Sequence, residues 1–293
     1  MVGRSLNEFS CKRAPIAFAF MCMLLLAAAL SGCQSRTEGG TERAAENGAA
    51  PASPAVAAAE GARIMERSRA VEDFIDSTLR VRARVHESDG ASREIQMTMY
   101  RKRESEDRRL MFLEITSPVE ERDRSGLVSF TLHGDLEATR YVQSNNSFVT
   151  VKSAGDEDSL FGMSLQELVD GQPEKYDQRL AGEGTVGQTP VYRIEGRLKQ
   201  GAESNFAQVV TLVSKDNLTV LGTEFYDNHD QLVRRLSVDK IAQIDGHWTR
   251  MKWTIENQSR AKTIEFETLS IGYERNLPAS VFSREHLKKS ASR

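Results

Sequence analysis

The sequence predicts a mainly β protein, an antiparallel meander of about ten to twelve strands curled over two or three helices. Three observations carry this. Apolar residues recur with a period of two in run after run, the spacing that leaves a strand with one apolar and one wet face. The runs follow one another across turn-forming residues, without the long intervening helices that βαβ units and a parallel sheet require. The patterned body spans roughly 230 residues, enough for one sizeable core.

The chain opens with an address rather than with the fold. Arg4, Lys12 and Arg13 form a basic start, and Ile16 to Leu30 is an uncharged apolar run, shorter than the ~20 residues a spanning helix needs. Leu30-Ser31-Gly32-Cys33 closes it. Ala27-Ala28-Ala29 would also serve an ordinary cleaved signal, but the four closing residues resemble the lipobox of bacterial lipoproteins, with Cys33 as the lipidated position. Residues 1–32 are then a signal peptide. Acyl chains of the palmitate type on Cys33 would hold the protein to a bilayer at about 0.8 kcal/mol per buried CH₂. Gln34, rather than Asp, follows the cysteine and favours the outer membrane, facing the periplasm. Of three cysteines, Cys11 and Cys22 would leave with the signal, so no disulfide could form within one mature chain.

Residues 33–60 are the lipidated N-terminus and a tether. They are rich in Ala, Gly, Glu, Ser, Thr and Pro and cannot bury enough surface to offset chain entropy. The body, 61–293, begins with a helical stripe through Ile64, Ser68, Val71 and Ile75. Alternation then sets in with Leu79, Val81, Ala83 and Val85. A turn at Asp89-Gly90 leads to Ile95, Met97 and Met99. Arg101 to Arg109, dense in both signs of charge, reads as an exposed connection. Further strands are expected at Arg109 to Thr116, Gly126 to Leu132, Ala138 to Gln143 and Phe148 to Lys152, with Ser144-Asn145-Asn146 as a turn. Ser164 and Glu167 are spaced as a capping box for a short helix. Strand patterns resume at Pro190 to Leu198, Phe206 to Ser214, Leu218 to Tyr226, Gln231 to Val238, His247 to Glu256 and Lys262 to Gly272. Lys215-Asp216-Asn217, Asp227 to Asp230 and Asp245-Gly246 supply turns, and Pro278 to Lys289 reads as a closing helix.

A net charge of −3 with mixed signs leaves no electrostatic footprint for nucleic acid. Gly182 to Gly187 formally matches G-x-G-x-x-G, but Pro190 and a strand follow it. A dinucleotide loop needs a helix there, so a hairpin loop is the better reading. Gly162 to Gln166 lacks the second glycine of a nucleophile elbow. The histidines are His86, His133, His229, His247 and His286, none with a His partner at i+4, and Asp227, His229 and Asp230 read as a solvated turn. Asp156-Glu157-Asp158 reads as a solvated loop. The sequence thus predicts no catalytic residue, no metal, no cofactor and no enzyme.

Particular segments resemble the LolA/LolB-like outer-membrane lipoprotein-sorting family. Met111 to Pro118 resembles the family strand ending in Ser-Pro, and Gly126 to Phe130 its Gly-Leu strand. Ser159 to Ser164 with Leu168 is similar to its Phe-Gly segment, and Leu277-Pro278 to Val281-Phe282-Ser283 to its closing Phe-Ser element. The likeness runs over roughly residues 62 to 289. Where relatives carry Trp-x-Tyr-x-Pro, this chain keeps only Tyr141. The resemblance implies a strongly curved antiparallel half-barrel covered by helices, whose apolar trough holds lipoprotein acyl chains.

On the alternating runs, Val81, Val85, Met97, Met99, Phe112, Val128, Phe130, Leu236, Met251, Trp253 and Ile255 are the candidates to line such a trough, with ordinary core packing as the alternative for each. The expected function is that of a membrane-anchored periplasmic lipoprotein. It would bind a lipid or lipoprotein acyl chain in lipoprotein sorting or lipid transfer, with the membrane and a transporter of hydrophobic substrates as partners. The alternative is a non-catalytic sensor module that binds a protein, since the half-barrel also resembles the sensor domain of periplasmic regulators.

Overall fold

The structure, a computed structural model, describes residues 53–131, 136–151, 173–258 and 261–292. These belong to one compact unit, Ala50–Arg293, with its own hydrophobic core, the property that lets a domain fold alone. The lipobox-like residues with Cys33, His133, the helix expected at Ser164 and the Asp156-Glu157-Asp158 run lie outside the described residues.

Helix α1 (Pro54–Val71) comes first. Proline stands in its first turn, and the Ser53 side chain accepts a hydrogen bond from the Val56 N–H at 3.4 Å, a combination that favours helix initiation. The helix thus takes in residues 54–60, which the sequence had placed in the tether. Gly61, Ile64 and Ser68 are its buried stripe. Ile75, expected on that stripe, lies beyond the helix end and is exposed.

Thirteen strands follow: β1 (Asp76–His86), β2 (Ser92–Arg103), β3 (Arg108–Ser117), β4 (Gly126–Thr131), β5 (Leu136–Val142), β6 (Ser147–Val151), β7 (Tyr176–Val186), β8 (Thr189–Leu198), β9 (Gln208–Ser214), β10 (Val220–Tyr226), β11 (Leu232–Ile244), β12 (His247–Asn257) and β13 (Lys262–Tyr273). They make one sheet in the order β6-β5-β4-β3-β2-β1-β13-β12-β11-β10-β9-β8-β7. Two meanders therefore stand side by side, joined where β1 pairs antiparallel with β13, for example Val85 with Ile264. The sheet is curved and does not close, and β6 and β7 are its edges. Register shifts at Arg80/Val81, Gln96/Met97, Leu180/Gly182, Phe225/Tyr226 and Val238/Lys240 interrupt the ladders. Such bulges bend a strand and increase its twist.

The turns follow the expected chemistry. Asp245 and Gly246 stand at φ 50° and 84°, the left-handed pair that a two-residue hairpin needs. Asn146 at φ 52° ends the β5–β6 turn. One segment differs from expectation. Gly182 to Val186 is not a hairpin loop but the second half of β7, and the turn begins only at Gly187. β7 has a single large aliphatic residue, Leu180, before Val186 and two glycines, and most of its residues are exposed or half-buried.

The sheet has two covered faces. On one, Val81, Val85, Ile95, Met97, Leu113, Ile115, Ile255, Ile264 and Phe266 form the largest core cluster, and α1 packs through Ile64 onto Ile194 and Val213. On the other, helix α2 (Arg284–Ala291), capped by Ser283, presses Leu287 and Ala291 against Phe112 and Tyr141. No helix among the described residues is long and apolar enough to cross a membrane.

Candidate lipid-binding cavity

A cavity of about 370 Å³ lies between the curved sheet and the C-terminal half of α1 with the strap that follows it, residues 72–75. It falls in the range of about 300–1,000 Å³ typical of small-ligand sites. Alternation along each strand aims its lining inward: Met97 and Met99 from β2, Met111 from β3, Leu236 from β11, Trp253 and Ile255 from β12, Phe266 and Ile271 from β13. Trp253 stacks on Phe266 with centroids 5.0 Å apart and an interplanar angle of 7°. Phe206 and Phe225, 4.8 Å apart, add a second aromatic pair. Met65, Val71 and Phe74 look down from α1 and the strap. Both tryptophans of the chain, Trp248 and Trp253, line the space.

Six of the candidates read from the sequence meet here: Met97, Met99, Phe130, Leu236, Trp253 and Ile255. Val81, Val85 and Val128 are buried in core clusters that pack with those residues and do not line the cavity. Met251 is half-buried and also stands outside the lining. Phe112 is corrected outright. It faces away from the cavity, fully buried under α2 and 4.9 Å from the His286 ring. Its neighbours Met111 and Leu113 are buried too, because both faces of β3 are covered and the apolar period of two disappears.

The cavity also has charged residues in its lining, and three of them, Arg101, Lys102 and Arg109, belong to the stretch that the sequence reads as an exposed connection. The described lining residues include Arg69, Arg101, Lys102, Arg109, Arg234 and Arg250, together with Glu72, Asp73 and Glu174. The strap is held there by ion pairs. Arg250 donates to Glu72 at 3.0 Å. Asp73 accepts from Arg103 at 2.5 Å and from Arg109 at 3.1 Å. Beside the strap, Arg69 of α1 lies 2.6 Å from Glu174, just before β7. Phe74 packs edge-on against Tyr273, with the Arg101 guanidinium 4.4 Å above its ring. The only sequence signal for this cluster was the density of arginine in β2 and β3. Elsewhere in the lining, the Tyr176 hydroxyl bonds Ser204 and the Phe206 carbonyl, and burial raises its pKa while the Ser204 hydrogen bond opposes the rise.

Asp227, His229 and Asp230 form a turn in which one Asp227 oxygen accepts from the backbone of His229 and Gln231. No grouping of three or more metal-ligating side chains occurs among the described residues. The arrangement is suited to solvating a long apolar chain whose exposure to water is unfavourable by about 25 cal/mol per Å².

A family model described only as an uncharacterized protein matches residues 107–289. The chain belongs to that family. No curated protein matches it in sequence. The family member's fold is similar to that of a DUF1329 family protein from Desulfovibrio piger, at 21% identity and TM-score 0.73, covering 79% of this chain and 99% of that one. A domain provisionally described as outer-membrane lipoprotein-sorting, from Vibrio parahaemolyticus, is similar at 18% identity and TM-score 0.72, with 79% and 99% covered. A LolA superfamily protein from Nitrosomonas europaea matches at 15% identity and TM-score 0.59, with 78% and 99% covered. The fold is LolA-like, as the resemblance implied.

Proposed function

We propose that this chain is a non-catalytic binder of lipid or lipoprotein acyl chains in the bacterial cell envelope, acting in lipoprotein sorting or lipid transfer. Cys33 would anchor it to a membrane facing the periplasm, and a transporter of hydrophobic substrates would be its exchange partner. The observation that carries the reading is the cavity of about 370 Å³ floored by Met97, Met99, Leu236, Trp253 and Ile255. Methionines follow an irregular hydrocarbon chain without a fixed shape of their own. The names of the Vibrio and Nitrosomonas proteins of the same fold add support.

Tryptophan emission tests the binding directly, because both tryptophans line the cavity. Titrating the unit from Ala50 onward with long-chain amphiphiles brominated along the chain should quench that emission saturably. Absence of quenching by every such amphiphile would remove the reading. Anchoring is tested separately: incorporation of labelled palmitate into the full chain should vanish in Cys33→Ser, and persistence of label would refute Cys33 as the anchor.

A further inference from the structure

The strap after α1 places two carboxylates against basic residues of the cavity lining. Asp73 is gripped by Arg109 and Arg103, and Glu72 by Arg250. The Arg109 and Arg250 side chains line the cavity and are only 19% and 17% exposed. Beside them the Arg101 Nε donates to Ser77 Oγ at 3.0 Å, and Lys102 Nζ donates to the Leu277 carbonyl at 2.5 Å. Both of these basic side chains line the cavity as well.

An acyl chain alone needs none of this, since burying hydrocarbon calls for apolar area and no charge. Guanidinium groups withdrawn from water are costly unless anions meet them. They bind carboxylate and phosphate in paired, charge-assisted hydrogen bonds. In the structure the anions that meet them include the chain's own carboxylates, carried on a short connection rather than on the sheet. An incoming anion could replace or join them without any new desolvation of the arginines.

We propose that the cavity is specific for an anionic amphiphile. Its chain would run over Met97, Leu236 and Trp253, and its carboxylate or phosphate head would sit on Arg109, where Asp73 acts as a built-in competitor. This rests on the reading of the cavity as an acyl-chain site and names the class of ligand. An uncharged diacylglyceryl group would leave the arginines to the strap.

The test compares brominated probes by tryptophan quenching in the unit from Ala50 onward: a long-chain fatty acid, the matching fatty alcohol and a lysophosphatidic acid. Inorganic phosphate serves as a competitor without a chain. The acid or the phospholipid should bind about tenfold more tightly than the alcohol, the scale of one charge-assisted hydrogen bond. The tighter of the two identifies the headgroup. Asp73→Asn should tighten binding of the anionic probes several-fold and leave the alcohol unchanged. Arg109→Gln should bring the acid down to the alcohol's affinity. Equal binding of acid and alcohol, or an Asp73→Asn protein with unaltered affinity for the acid, overturns the anionic specificity while the acyl-chain cavity stands. Displacement of the acid by inorganic phosphate alone also overturns it, by assigning the arginines to a free anion. Failure of every probe, the alcohol included, overturns the acyl-chain reading itself.

Discussion

Gly61 of α1 lies so close to Arg179 of β7 that a Cβ at position 61 would stand 2.5 Å from the Arg179 carbonyl carbon and 2.6 Å from its Cα. Both are backbone atoms of a strand already paired to β8, so they cannot turn aside. This contact seats the helix that covers the cavity. Gly61→Ala would gain about 1 kcal/mol in helix propensity but would force α1 off the sheet, at a cost of about 1–3 kcal/mol. The clash should win. Urea unfolding should show a lower midpoint, and a midpoint at or above that of the parent protein would refute the contact.

The two faces of the sheet should separate in their effects. Phe112→Ala empties the contact beneath α2 and should cost about 3–5 kcal/mol of stability, while protein that remains folded binds brominated amphiphiles as before. Leu236→Glu places a carboxylate in the lining that Leu236 shares with Met99, Trp253 and Ile271 and should abolish quenching by an acyl chain. Unfolding midpoints and quenching titrations on both variants check this. Loss of binding in folded Phe112→Ala would contradict the assignment of faces.

Asp227 gives a pH dependence of known sign. The N–H groups of Gln231 and His229 donate to its carboxylate and lower its pKa from the ordinary 3.8. A depressed native pKa contributes stability that is complete above the unfolded value and is lost as pH falls through the native value. Asp227→Asn keeps an acceptor for the turn but cannot ionise. The parent protein should therefore lose stability relative to the variant as the pH is lowered below 3.8, as read from urea midpoints across that range. A difference that does not change with pH would refute the coupling.

The β11–β12 hairpin depends on Gly246 at φ 84°. Gly246→Ala should destabilise the protein by about 1–2 kcal/mol, the cost of a left-handed conformation for a residue with a Cβ. Gly126, which stands at no positive φ, is the control. Its Cβ would meet the Thr139 carbonyl oxygen only at 3.4 Å, so Gly126→Ala should cost less. Equal losses in the two variants would show that the backbone angle is not the cause.

Much of this fold was legible because a strand with one covered face writes that face into its sequence. Spacing alone places Met97 with Met99, and Trp253 with Ile255, on one face of their own strand, and only the resemblance implies the trough that brings them together with Leu236. Spacing carries no depth, so Val81 and Val85 on the same face read identically although they sit in the core beside the cavity. Where both faces are covered, as in β3, the period vanishes and Phe112 was assigned to the wrong side. An edge strand that buries little, β7, left almost no apolar signal. The tether was read too long because Ala-rich helix and Ala-rich linker have similar composition. Ser53 and Pro54 carried the cue for the start of α1.

The amino-acid order by itself determined most of the strand-and-turn succession, β7 excepted, because alternation and left-handed turn residues are local properties of the chain. The likeness of Leu30 to Cys33 to a lipobox is likewise local, because four adjacent residues compose it. The pairing of β1 with β13, the roofing of the sheet by α1 and the meeting of Asp73 with Arg103 and Arg109 were decided only by tertiary structure. Those contacts join residues about 30 to nearly 200 positions apart in the chain. At such separations a charged side chain in solvent and one turned into a cavity look the same in sequence.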